Sequence, residues 1–287
     1  MTNIFAPFEP EKDEPRRRRF KPIPVRVLLP NVITLLALCL GLTAIRMAME
    51  GRLELAIGAI VLAGVLDALD GRIARLLQTS SRFGAELDSL ADFLCFGAAP
   101  GIILYVWGLS SLKGVGWIAI LVFGMCAALR LARFNVMLDD PNRPAFAGNF
   151  FVGVPAPAGA LIVLLPVYLQ FLGMPQTTLT SALAMIYVVA VALLMVSRIP
   201  TWSGKKVGSR VPREYVMALF VLVVFFAALL ISYPWEVLSV GSVLYLAAIP
   251  VAYLQYKNLE RAHLVASGGA VQPPAETGEE GRPGRLN

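Results

Sequence analysis

Apolar residues run through this chain in long blocks broken by short polar stretches, and no segment alternates with a period of two. About 20 mostly apolar residues are needed to cross some 30 Å of hydrocarbon as a helix. Eight stretches meet that length, at approximately 29–49, 53–77, 85–108, 115–137, 154–172, 178–197, 214–232 and 236–256. Without alternation a barrel is not indicated. The pattern therefore predicts an all-α, polytopic membrane helix bundle of about eight transmembrane helices. Before it lies a basic, proline-bearing arm, residues 1–26; the membrane domain occupies 27–262. The tail, 263–287, is rich in Gly, Pro and Glu and has too little apolar content to bury, so disorder is expected there.

Composition agrees with the pattern. Of the 287 residues 57% are hydrophobic and 15% charged, against about 25% charged in an ordinary soluble domain. The net charge of +6 raises nucleic acid as a partner, but its distribution argues for topology instead. Arg16–Arg19, Lys21 and Arg26 precede the first stretch, Arg72, Arg75 and Arg82 lie between the second and third, and Arg130, Arg133 and Arg143 sit at the end of the fourth or just after it. Further basic residues follow the sixth and eighth, whereas the opposite side has only Arg46, Arg52 and Lys113. By the positive-inside rule both termini are cytoplasmic. Cys39, Cys95 and Cys126 all fall in apolar segments without close partners, which indicates neither a disulfide framework nor a zinc site. The one histidine, His263, lies beyond the last stretch and leaves little room for a Ser/His/Asp triad. Any chemistry belongs to carboxylates.

The carboxylates stand where lipid-facing residues are expected, in "DALDGRIARLLQTSSRFGAELDSLAD", residues 67–92. Asp67 and Asp70 are three apart on one helix, Asp88 and Asp92 four apart on the next, so each pair shares a face. With a short cytoplasmic bend between them, the two pairs reach a similar depth. An unpaired ionised side chain at mid-bilayer costs at least about 2.5 kcal/mol, and Arg75 alone cannot balance four. Hard divalent cations with oxygen ligands would close the deficit, and two such ions suit displacement at phosphorus. Gly71 would let a ligand approach the helix backbone, and Arg75 could grip phosphate. Tight helix packing through small residues would equally explain Ala74 and, less readily, Gly71.

Asp67, Asp70, Gly71, Ala74, Arg75, Gly84, Asp88 and Asp92 together spell DxxDGxxARx8GxxxDxxxD. This signature resembles that of the CDP-alcohol phosphatidyltransferases, membrane enzymes that move a phosphatidyl group from a CDP-linked lipid to an alcohol and release CMP. "ELDSLADFLCFGAAPGIILY", "ALRLARFNV" and "FVGVPAPAGA" are similar to segments of the bacterial and archaeal phosphatidylserine synthase branch. The resemblance implies CDP-diacylglycerol and L-serine as substrates, and two Mg²⁺ or Mn²⁺ ions held by Asp67, Asp70, Asp88 and Asp92. It implies Asp92 also as the base that takes the hydroxyl proton, and Gly71, Arg75 and Ser81 as contacts of the lipid-nucleotide head. Asn31 and Thr34, in "PNVIT", resemble a nucleotide-contacting stretch, though at a helix start they could be plain caps. The resemblance also suggests a homodimer in a prokaryotic inner or plasma membrane, with the site facing the cytoplasm.

Arg130 and Arg133, three apart near the inner end of the fourth stretch, could hold the serine carboxylate or a lipid phosphate. Alternatively they snorkel to the interface. A sister transferase using glycerol phosphate, inositol phosphate or choline would share the metal site and differ in the acceptor pocket. An ion-coupled transporter could also bury carboxylates at depth, and a non-catalytic scaffold would leave them unexplained.

Overall fold

The computed structural model describes residues 25–77, 81–138, 150–202 and 213–266. The expectations for the basic arm up to residue 24, and for the tail beyond 266, concern residues outside these.

The first two helices, α1 (Val25–Met49) and α2 (Leu53–Leu77), pack antiparallel along their length. Their sharp connection is set by Gly51, whose φ of +76° a side chain would strain. Around it Gly51 N–H donates to Ala48 O and Arg52 N–H to Met47 O, each at 2.9 Å, a Schellman ending that satisfies two of the last carbonyls of α1. After α2 comes one rod, Arg82–Trp107, made of α3 (Arg82–Asp92), a π-helical turn (Phe93–Ala98) and α4 (Ala99–Trp107). Pro100 follows the turn; without an N–H it cannot close the ordinary bond to Phe96 O, and its ring crowds that carbonyl, which favours the wider turn. Then come α5 (Gly114–Leu138), α6 (Ala156–Val163), α7 (Leu165–Phe171), α8 (Thr178–Val196), α9 (Arg213–Ser232) and α10 (Pro234–Ala266).

Among the described residues six helices are long and apolar enough to cross a membrane: Leu28–Met49, Arg82–Trp107, Gly114–Met137, Thr178–Val196, Tyr215–Ser232 and Pro234–Leu259. The multi-pass helical bundle stands, and the two other expected stretches differ for physical reasons. Helix α2 has the length, at 25 residues, and differs in carrying five charged residues, Glu54, Asp67, Asp70, Arg72 and Arg75. The stretch at 154–172 breaks at Leu164 into two short helices, where Pro166 cannot donate to the preceding turn. Helix α10 continues ten residues past its expected end and takes in the first four residues of the expected tail. Two three-residue strands, unforeseen in the hydrophobic pattern, pair antiparallel: β1 (Phe150–Val152) with β2 (Pro200–Trp202), Phe151 opposite Thr201. They tie the approach to α6 to the end of α8.

The core gathers Ile57 and Ile60 of α2, Phe96 of the π turn, Ile103 and Leu104 of α4, Phe123 of α5, Tyr168 of α7 and Met195 of α8, all at most 2% exposed. Helix α1 turns a face of small residues inward, Ala37, Gly41, Ala44 and Ala48. There the π turn comes close: a side chain on Gly41 would lie 2.7 Å from Cys95 Sγ, which itself donates to Ala37 O. Close backbone approach through small residues is how helices associate in lipid. Helix α9, by contrast, has no buried residue across its apolar window.

Candidate active site

Helix α1 contacts both α2 and α3, while α2 and α3 make little direct contact with each other and meet the rest of the bundle through α4 and the π turn. The result is a cleft with α1 as its floor, α2 as one wall and α3 as the other. Helical spacing aims Asp67 and Asp70 into it from one side and Asp88 and Asp92 from the other. One carboxylate oxygen from each of Asp67, Asp70 and Asp88 lies within 4.8 Å of the others. Asp67 also reaches the Asp92 carboxyl at hydrogen-bonding range. All four expected acidic residues thus converge.

Two carboxylates in such contact need a shared proton or a cation between them. Oxygens bound to one divalent ion at about 2.0–2.6 Å are no more than about 5 Å apart, so the Asp67, Asp70 and Asp88 donor set fits a hard cation. Asp70 is only 4% exposed and accepts a hydrogen bond from Thr34 Oγ1 at 2.6 Å. Bonds of this kind, from the side facing away from an ion, orient carboxylate ligands. The buried guanidinium of Arg130 faces Asp92 and Asp67.

The five residues expected to hold the lipid-nucleotide head, Asn31, Thr34, Gly71, Arg75 and Ser81, line a single cavity of about 190 Å³ together with Asp70 and Asp88. That is room for a phosphate-sized group and not a packing defect. Helix α1 begins at Val25, which puts Asn31 and Thr34 inside it; neither is a cap. Ser81 does cap α3, accepting from Gly84 N–H at 3.0 Å. Gly84 is needed for packing: a Cβ there would lie 2.9 Å from Asn31 Oδ1. Gly71 is not, since a Cβ there would meet nothing within 4 Å, and its bare backbone faces the cleft. Arg75 is exposed, with its Nε donating to Gly71 O at 2.9 Å.

The arginine pair is split. Arg130, 7% exposed, does not snorkel; it lies 5.3 Å from the Phe134 ring centre and beside the aspartates. Arg133 instead caps α8, donating to Val196 O at 2.8 Å, Ser197 O at 3.1 Å and Met195 O at 3.4 Å. Its guanidinium is occupied with the carbonyls that a helix end leaves unpaired. Sequence reasoning missed a brace of the site: Asn135 Nδ2 of α5 donates to Ser89 Oγ, between Asp88 and Asp92, at 2.8 Å. The two residues are 46 apart in the chain, and no local pattern announces the pair.

Comparison with known proteins matches this architecture. Residues 27–255 fit the family model of CDP-alcohol phosphatidyltransferase. The chain is 44% identical over 240 residues to the CDP-diacylglycerol–serine O-phosphatidyltransferase of Mycobacterium leprae, covering 83% of this chain and 77% of that protein. It is 36% identical over 225 residues to the protein of the same name from Helicobacter pylori, 78% of this chain and 90% of that one. A more distant relative, again of that name, is the Bacillus subtilis protein, 35% identical over 138 residues, 48% of this chain and 74% of that one. The aspartates of the signature meet across the cleft and the match runs from α1 into α10, so this chain belongs to the CDP-alcohol phosphatidyltransferase family.

Proposed function

We propose that this protein transfers the phosphatidyl group of CDP-diacylglycerol to L-serine, forming phosphatidylserine and CMP. The observation that carries the reading is the convergence of Asp67, Asp70 and Asp88 at the end of a cavity lined by Asn31, Gly71 and Arg75. Relatives at 36–44% identity that bear the serine transferase name supply the acceptor. Asp67, Asp70, Asp88 and Asp92 would hold two Mg²⁺ or Mn²⁺ ions, which when bound neutralise the diphosphate and ease departure of CMP. Asn31, Gly71, Arg75 and Ser81 receive the nucleotide diphosphate, with Thr34 fixing Asp70. Asp92 takes the proton of the serine hydroxyl as its oxygen attacks the lipid-side phosphorus and the bond to CMP breaks. An ordinary carboxylate, with a pKa near 3.9, is a weak base toward an alcohol, so its use rests on position. Arg130 is the better placed arginine for the serine carboxylate, since Arg133 is engaged with α8.

The protein acts in this reading as a homodimer in a prokaryotic plasma membrane, with its site toward the basic, cytoplasmic side. The test is CMP release by purified protein in vesicles containing CDP-diacylglycerol. Release should require serine, stop on chelation and return with Mg²⁺ or Mn²⁺. Release driven by glycerol phosphate, inositol phosphate or choline instead of serine would reassign the acceptor.

A further inference from the structure

Helix α10 lies against β2 and against α6 and α7. Its Tyr245 faces Thr201 of β2 and lies within electrostatic reach of the Arg130 guanidinium of α5. Thr201 gives its hydroxyl proton to Gly153 O at 2.8 Å, and the Tyr245 hydroxyl, shielded from solvent, makes no hydrogen bond of proper geometry to it or to any other described group. A buried tyrosine hydroxyl ordinarily finds a partner, and leaving one unpaired is costly enough that an orphan in a native fold calls for an explanation. The other such side-chain oxygen among the described residues, on Ser239, is nearly two turns earlier on α10.

We infer that Tyr245 is a specificity-determining residue of the acceptor subsite, its hydroxyl donating to the carboxylate of the serine that Arg130 holds. This rests on the function proposed above. A carboxylate only accepts, and its two oxygens have lone pairs for a guanidinium and a phenol together. Arg133, spent on the α8 carbonyls, leaves that place to Tyr245. Arg130 faces Asp92, so an acceptor anchored here presents its hydroxyl toward the group that takes its proton. A cationic alcohol would leave both donors without an anion. The subsite thus selects acceptors with an anionic end, and α10 contributes to chemistry as well as to anchoring.

The experiment compares full-length wild type with Tyr245→Phe, which keeps the ring and its packing, in CDP-diacylglycerol vesicles with L-serine, L-serinamide or glycerol 3-phosphate. The serine KM should rise about tenfold or more, the loss expected for a hydrogen bond to a charged group, while the CDP-diacylglycerol KM stays within about twofold. Preference for serine over serinamide, which lacks the anion, should fall by a similar factor. An unchanged serine KM, an equal rise in both KM values, or undiminished discrimination against serinamide would overturn the inference. Wild type that accepts glycerol 3-phosphate and not serine would overturn the serine reading itself, and this outcome is read without the variant.

Discussion

Asp70 and Asp92 are alike in sequence and differ in surroundings. Asp70 is held by Thr34 and lines the cavity, whereas Asp92 faces Asp67 and the Arg130 guanidinium. Asp92→Asn keeps the shape and removes the proposed base. It should lower kcat by a factor on the order of 10²–10⁴ with little change in CDP-diacylglycerol KM; a kcat within tenfold of wild type would reassign the base. Thr34→Val removes the 2.6 Å bond to Asp70 and frees that carboxylate to turn. The Mg²⁺ or Mn²⁺ concentration for half-maximal rate should rise roughly 10–100-fold, as for other losses of an orienting partner, with near-normal rate at saturating metal.

At the scale of elements, the cleft exists because α1 separates α2 from α3, and its glycines have opposite reasons. At Gly71 alanine meets no protein atom and gains up to about 1 kcal/mol of helix propensity. Gly71→Ala should therefore be as stable as wild type, or more so, in a thermal melt, yet bind CDP-diacylglycerol more weakly. At Gly84 an added methyl would press on Asn31 at 2.9 Å and Ser81 at 3.1 Å. Gly84→Ala should weaken the same substrate and also lower the melting temperature, since the Ser81 cap shares the crowding. Equal behaviour of the two variants would refute the distinction. Asn135 acts at this scale too, pinning α3 through Ser89 so that Asp88 and Asp92 keep their rotation toward the cleft.

For the whole molecule, the charge asymmetry of the connections predicts sidedness. In a background with the native cysteines replaced, Glu50→Cys, in the turn between α1 and α2, should react with an impermeant maleimide on intact cells. Lys257→Cys on α10 should react only after permeabilisation; the reverse pattern would place the site on the outside. Much of this molecule was legible from residues alone. Long apolar runs can satisfy their backbone in lipid only as helices, so the multi-pass bundle followed directly. The signature placed four carboxylates on two helix faces by spacing alone. The break at Leu164 and the pairing of Phe150–Val152 with Pro200–Trp202 were not legible, because hydropathy averages over a proline and strand partners lie some 50 residues apart. Arg130 and Arg133 show the limit most plainly: three residues apart on one helix, they looked equivalent, and only the position of the α8 end separated them.

By itself the sequence determined the multi-pass helical character and the shared faces of the four aspartates, since each follows from local composition or from spacing along one helix. The tertiary structure decided that the carboxylates meet across a cleft, that the end of α8 engages Arg133, and that Tyr245 of the last helix comes within electrostatic reach of Arg130. Those are contacts between distant segments, fixed by how whole helices pack and not by any stretch of residues read alone.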